Sequence, residues 1–139
     1  LNYKNIKPQI IIESLVDGQI RHSNYKVLCF NGEPEYIIVD TNKDKYGRRS
    51  RDIFDVYWNH QKFTIKYPQA QEVPKMPSKL SEMLNLTRKL ACDFNFIRVD
   101  WFITGDRILF NQVKFAPGNG VEFFSDPAYA VKLGDLIKL

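Results

Sequence analysis

The sequence predicts an α+β fold, an antiparallel sheet with packed helices, from three observations. Short β-branched and aromatic runs flank Asn31-Gly32 and Gly105-Asp106, dipeptides of the kind that join neighbouring antiparallel strands. A helical period occurs only from Ser78 onward and again after Asp126. Strands and helices thus fall into separate blocks, which argues against a doubly wound parallel sheet.

Taken in order, Pro8 precedes Gln9–Val16 (QIIIESLV), a β-branched run expected to be a buried strand that ends at Asp17-Gly18. Asn24–Phe30 is the next strand, and Asn31-Gly32 turns it into the run Pro34–Val39. The first forty residues therefore read as a three-stranded antiparallel unit. Asp40–Asp52 (DTNKDKYGRRSRD) is charged and aperiodic and is expected to be a solvated, mobile loop. Ile53–Trp58 resumes an apolar pattern, as a further strand or the wall of a cleft. Tyr67–Pro77, with three prolines, reads as an extended connector.

From Ser78 the residues Leu80, Met83, Leu84, Ala91 and Phe94 share one helical face, with Leu90 beside them; Ser78 is the candidate N-cap and Ser81 the competing one. Phe96–Gly120 (FIRVDWFITGDRILFNQVKFAPGNG) then reads as two strands around Gly105-Asp106 and a glycine-bearing loop. A short helix is expected from Asp126, carrying Ala128, Ala130, Val131, Leu133 and Leu136 and interrupted by Gly134.

A chain of 139 residues that is 44% hydrophobic and 14% aromatic can bury one modest core, so one domain is expected and disorder is not. The net charge of +4 is a slight cationic excess, compatible with an anionic partner such as a nucleotide, a sugar acid or nucleic acid. Two cysteines, Cys29 and Cys92, are too few for a disulfide scaffold and lack metal-ligand spacing, which suits reduced thiols in a cytoplasmic protein. No apolar run approaches the ~18 residues that span a membrane, and no signal peptide is visible. Beginning at Leu1 on a strand-like segment, the chain reads as a fragment or processed piece.

The Phe96–Gly120 hairpin carries the chemistry. Asp100 is a lone carboxylate among Val99, Trp101 and Phe102, and Gln112 and Lys114 leave one face of the following strand. If the strands pair, these groups become near neighbours. Asp100 either pairs with Arg98 or Lys114, or it ligates a hard cation; Gln112 offers a carbonyl oxygen, whereas an ammonium at Lys114 opposes a metal. Arg98 either grips a phosphate or pairs with Asp100. Lys26 is a solvated strand lysine or a phosphate-side group. Pro117–Gly120 is an ordinary loop or an anion-wrapping turn. His22 and His60 lack partners at recognisable spacing and read as surface histidines. The basic cluster Lys43, Lys45, Arg48, Arg49 and Arg51 is a solvated loop, a gate for an anionic substrate, or a nucleic-acid grip, the last being unlikely.

FIRVDWF followed by LFNQVKFAPGNG resembles the C-terminal signature of the ATP-grasp enzymes. Together with Tyr3–Glu13 (YKNIKPQIIIE), Asn24-Tyr25-Lys26, Phe30-Asn31-Gly32 and Trp58, the chain resembles the TupA-like ATP-grasp proteins, which occur with capsule, teichuronopeptide and other surface-polysaccharide genes. The resemblance implies that residues 1–139 form one region equivalent to the C-terminal subdomain of an ATP-grasp fold. The half that bears the flexible phosphate-binding loop normally precedes it, and no such loop is found in the chain. It further implies an ATP-dependent carboxylate–amine ligase acting through an acyl-phosphate, with ATP and magnesium as cofactors and a carboxylate-bearing sugar or amino acid as substrate. By position, Glu13, Ser14, Leu15 and Val16 would meet adenine and Asn24 would stand where the family has an acid suited to a ribose hydroxyl. Lys26 and Arg98 would serve the transferring phosphoryl group, Asp100 and Gln112 would face magnesium, and Lys114 would face the nucleotide. Gln112 replaces the family's metal-binding glutamate, Lys114 an asparagine, and Asn24 an acid. These departures support an alternative, a non-catalytic relative that binds nucleotide or sugar without metal or acts as an interaction domain.

Overall fold

The computed structural model describes residues 5–12, 23–41 and 47–138. Five strands form one antiparallel sheet: β1 (Ser23–Phe30), β2 (Glu33–Thr41), β3 (Ser50–Asp55), β4 (Phe96–Thr104) and β5 (Arg107–Lys114). Their spatial order is β3-β2-β1-β4-β5. Helix α1 (Leu80–Ala91) joins β3 to β4, and α2 (Pro127–Asp135) closes the described chain. The α+β architecture with an antiparallel sheet is as the sequence predicts.

Turn chemistry sets the register. Asn31 and Gly32 both adopt positive φ (51° and 84°), which matches the twist of a two-residue hairpin, so Phe30 faces Glu33. Gly32 also lies against the end of α1: a Cβ there would meet the Cys92 backbone at 3.3 Å. At the second hairpin Gly105 takes φ 56° and Thr104 faces Arg107. A bulge between Asp100 and Trp101 keeps Asp100 opposite Gln112 and brings Trp101 opposite Phe110.

Alternation then gives each sheet face its own cover. Tyr25, Val27, Cys29, Ile37, Val39, Ile97, Val99 and Trp101 pack under Leu80, Met83, Leu84 and Ala91 of α1. The opposite face presents Leu28, Phe30, Tyr36, Ile38 and Ile53 to Phe63, Ile65 and Leu133. Asn31 ties this second cover down, donating from Nδ2 to the Leu136 carbonyl at 2.6 Å and accepting from the Lys138 amide at 3.0 Å.

Several expectations are corrected. Residues 9–12 form no strand, and Ile10, Ile11 and Ile12 are exposed; residues 13–16 lie outside the described set. A β-branched run is buried as a strand only when it pairs, and residues 9–12 pair with none of the five strands. Nor is Asp40–Asp52 all loop: Asp40 and Thr41 end β2, Ser50–Asp52 begin β3, and Arg51 and Asp52 are buried, Arg51 in an ion pair with Asp40 and Asp52 in hydrogen bonds with His60 and the Ala70 amide. Neither serine caps α1. Lys79 holds the cap position without a side-chain bond, while the carbonyls of Pro77 and Lys79 accept from the Leu80 and Met83 amides. Asp126 does cap α2, accepting from the Ala128 amide at 2.9 Å, but Gly134 stays helical and does not interrupt it. Leu90 and Val131 face solvent. His60 has a partner, the buried Asp52 carboxylate at 2.9 Å; His22 is outside the described residues.

Candidate functional site

On the face opposite α1, three cross-strand rows turn from apolar to charged. The first row reads Arg51, Asp40, Asn24 and Phe102 from β3 to β4. The second reads Ile53, Ile38, Lys26, Asp100 and Gln112 across all five strands, and the third includes Leu28, Arg98 and Lys114. Period-two geometry therefore places Lys26, Arg98, Asp100, Gln112 and Lys114 on one surface, four of them on the β4–β5 hairpin.

Asp100 is fully buried and its oxygens are occupied. Arg98 donates from Nε to Oδ1 and from Nη2 to Oδ2, both at 2.7 Å, and Gln112 donates from Nε2 to Oδ2 at 3.0 Å. Facing a carboxylate, the glutamine can offer only its amide hydrogens. The nearest groups around Asp100 are therefore donors or cations, which does not fit a divalent cation that needs several oxygen ligands. Among the described residues no three His, Cys, Asp or Glu side chains gather as a metal site would require. Lys114 is half-buried, sits across from Arg98, and has no ion-pair partner among the described residues.

Beside this pair lies a second cluster, in which Lys26 and Arg51 were named from the sequence but their common partner was not. Lys26 donates to Asp40, and Arg51 donates to the same carboxylate from Nε at 2.6 Å and Nη2 at 3.1 Å. Arg51 also approaches Glu122 at 3.4 Å, and Lys66 stands 3.9 Å from Glu122. Burial pushes the Asp40 carboxyl upward, but the bonds from Arg51 and Lys26 outweigh it and hold the group below the usual carboxylate range. Burial likewise lowers Arg51, and Asp40 more than restores it.

Asp40 was visible in principle, since it continues the alternation Tyr36, Ile38, Asp40. Arg51 was named only within the basic run, and its burial beside Asp52 was not visible: Arg51, Asp52, Ile53 and Phe54 are all buried, so no alternation shows. Glu122 depends on the path of the 115–124 loop, where Gly118, at φ 58°, makes room for it; a Cβ there would collide with the Glu122 side chain.

Asn24 carries a buried Oδ1 without a hydrogen-bond partner, next to Asp40 in the register. An orphaned acceptor of this kind fits a ligand hydroxyl. The positions expected to meet adenine, Glu13, Ser14, Leu15 and Val16, lie outside the described residues. Pro117–Gly120 makes two successive tight turns, with Gly118 and Asn119 at positive φ, whose Asn119 and Val121 amides bond to the Ala116 and Gly118 carbonyls, so those donors are not offered to an anion. No described helix is long and apolar enough to cross a membrane.

A five-stranded antiparallel sheet with helices, bearing this charged hairpin face, is an ATP-grasp-type subdomain. The chain belongs to the TupA-like ATPgrasp family, whose model matches residues 1–138. No curated protein and no solved structure matches it. The wider ATP-grasp family binds ATP and magnesium.

Proposed function

We propose that the charged face forms one wall of a nucleotide site and serves an ATP-dependent carboxylate ligation in surface-polysaccharide or teichuronopeptide-type biosynthesis, in the cytoplasm. The observation that carries this reading is the convergence of Lys26, Arg98, Asp100, Gln112 and Lys114 on one sheet face. A substrate carboxylate oxygen would attack the γ-phosphorus of ATP, releasing ADP and forming an acyl-phosphate. An amine nitrogen would then attack the acyl carbon, expelling phosphate and losing a proton to solvent. Both steps move negative charge, and fixed cations at that charge are the main contribution a protein can make to such a transfer. Lys114 and Lys26 suit the nucleotide phosphates, Arg98 the transferring group, and the Asn24 oxygen a ribose hydroxyl.

One observation favours a second reading, binding of nucleotide or sugar without metal or turnover: the donors that surround Asp100 leave no ligand set for magnesium. Calorimetric titration with ATP, with magnesium and with chelator, tests both. Binding in either condition that weakens on the order of tenfold in Lys114→Gln supports the nucleotide wall, since one charge-assisted bond accounts for about that much. No heat with ATP in either condition counts against it. Magnesium-dependent hydrolysis gained in Gln112→Glu would favour the ligase; binding with chelator and no such gain would favour the metal-free reading.

A further inference from the structure

A cavity of about 330 Å³ opens directly beside the charged face, between the sheet and the C-terminal cover. Its floor is Leu28, Phe30 and Phe96, and Phe115, Leu133 and Gly134 stand over it. That volume lies near the lower end for small-molecule pockets, enough for a ring or branched chain and too small for a nucleotide. The lining is almost wholly apolar, which disfavours a sugar, whose hydroxyls would lose water without finding partners.

Two charged groups interrupt that lining, Arg98 and Glu122. The Arg98 side chain is only 6% exposed and commits Nε and Nη2 to Asp100. Its Nη1 donors have no partner among the described residues, so a nine-tenths-buried guanidinium keeps hydrogen-bonding capacity. Among the described residues Glu122 is held by long contacts alone, 3.4 Å to Arg51 and 3.9 Å to Lys66. An apolar slot with one spare guanidinium edge suits an apolar body that carries a carboxylate.

We infer that this cavity seats the apolar body of a small carboxylate whose head group bonds to Arg98 Nη1. The inference deepens the proposed ligation, because it rests on a carboxylate being the substrate, and it selects an apolar acid over a sugar acid. The two sources of that chemistry, a simple acid and an amino acid, differ at Glu122, which would receive the ammonium of the latter.

Titration of the full chain with phenylacetate, L-phenylalanine, benzyl alcohol and glucuronate, all without nucleotide, tests it. Phenylacetate or phenylalanine should bind at least tenfold tighter than glucuronate and benzyl alcohol, and the better of the two identifies the source. Gly134 supplies the control: it borders the cavity from α2 and a Cβ there meets nothing within 4 Å, so Gly134→Leu adds bulk at the cavity rim without a clash. Gly134→Leu should keep the circular dichroism of the natural chain and lose the acid. Equal binding of glucuronate or benzyl alcohol, no saturable binding of either apolar acid, or binding that persists in Gly134→Leu would each overturn the inference. Because nucleotide is absent, a failure of ATP binding would leave these results standing, and the reverse also holds.

Discussion

Arg98 closes a two-pronged ion pair on Asp100, two residues along the same strand, with both contacts at 2.7 Å and both side chains buried. Such spacing puts the pair on one sheet face, and the parallel fork matches the two carboxylate oxygens. Burying either charge alone would be costly, so the pair behaves as one unit.

Separating that unit should therefore destabilise the fold strongly. Asp100→Ala and Arg98→Ala are each expected to cost about 3–5 kcal/mol, because each leaves an uncompensated charge in the interior. The double change Arg98→Met with Asp100→Leu should recover most of that loss. Urea unfolding of the three variants measures it, and a single change costing no more than an ordinary surface substitution would contradict the buried pairing.

Acid should act through Asp40. Its carboxyl titrates below the ordinary value in the folded chain, since the hydrogen bonds from Arg51 and Lys26 outweigh burial. The folded state then binds fewer protons than the unfolded state around the ordinary carboxylate range, so stability rises with pH there. The contribution is complete above about pH 4 and is lost as pH falls further through the depressed value. Asp40→Asn should remove that part of the acid dependence. Melting temperatures from pH 2 to 6 check the sign: a variant with an unchanged slope would be the contrary result.

The two cysteines should differ sharply in reactivity. Cys29 is fully buried and burial pushes its thiol up to about 12, whereas Cys92 is exposed. Thiolate is the reactive form, so iodoacetamide at pH 8 should modify Cys92 alone in the folded chain and both residues in denaturant. Mass spectrometry of the digests reads this out. The raised Cys29 value also means that stability is full below about pH 8.5, the unfolded thiol's range, and declines as pH rises towards 12.

Local chemistry made parts of this legible from residues alone. Asn31-Gly32 and Gly105-Asp106 specify tight turns, and the alternation Arg98, Asp100 on one strand with Gln112, Lys114 on the next survives pairing intact. The spacing Leu80, Met83, Leu84, Ala91 likewise announced the buried side of α1. Where the pattern misled, competition was the cause. The run Ile10–Ile12 looks like a core strand, yet it pairs with none of the five strands and is exposed, and the charged run ending in Arg51-Asp52 looks solvated until its partners are found.

The order of residues by itself thus determined the turns, the hairpin register and which hairpin side chains share a surface, because those follow from bond geometry over a few neighbours. Only the tertiary structure decided that Arg98 locks onto Asp100, that Gln112 meets it with amide hydrogens, and that Lys26 and Arg51 converge on Asp40. It also decided that Glu122 and Gly134 border one cavity with Arg98. Those relations depend on desolvation and on long loops returning to the sheet, and neither leaves a periodic trace in a one-dimensional chain.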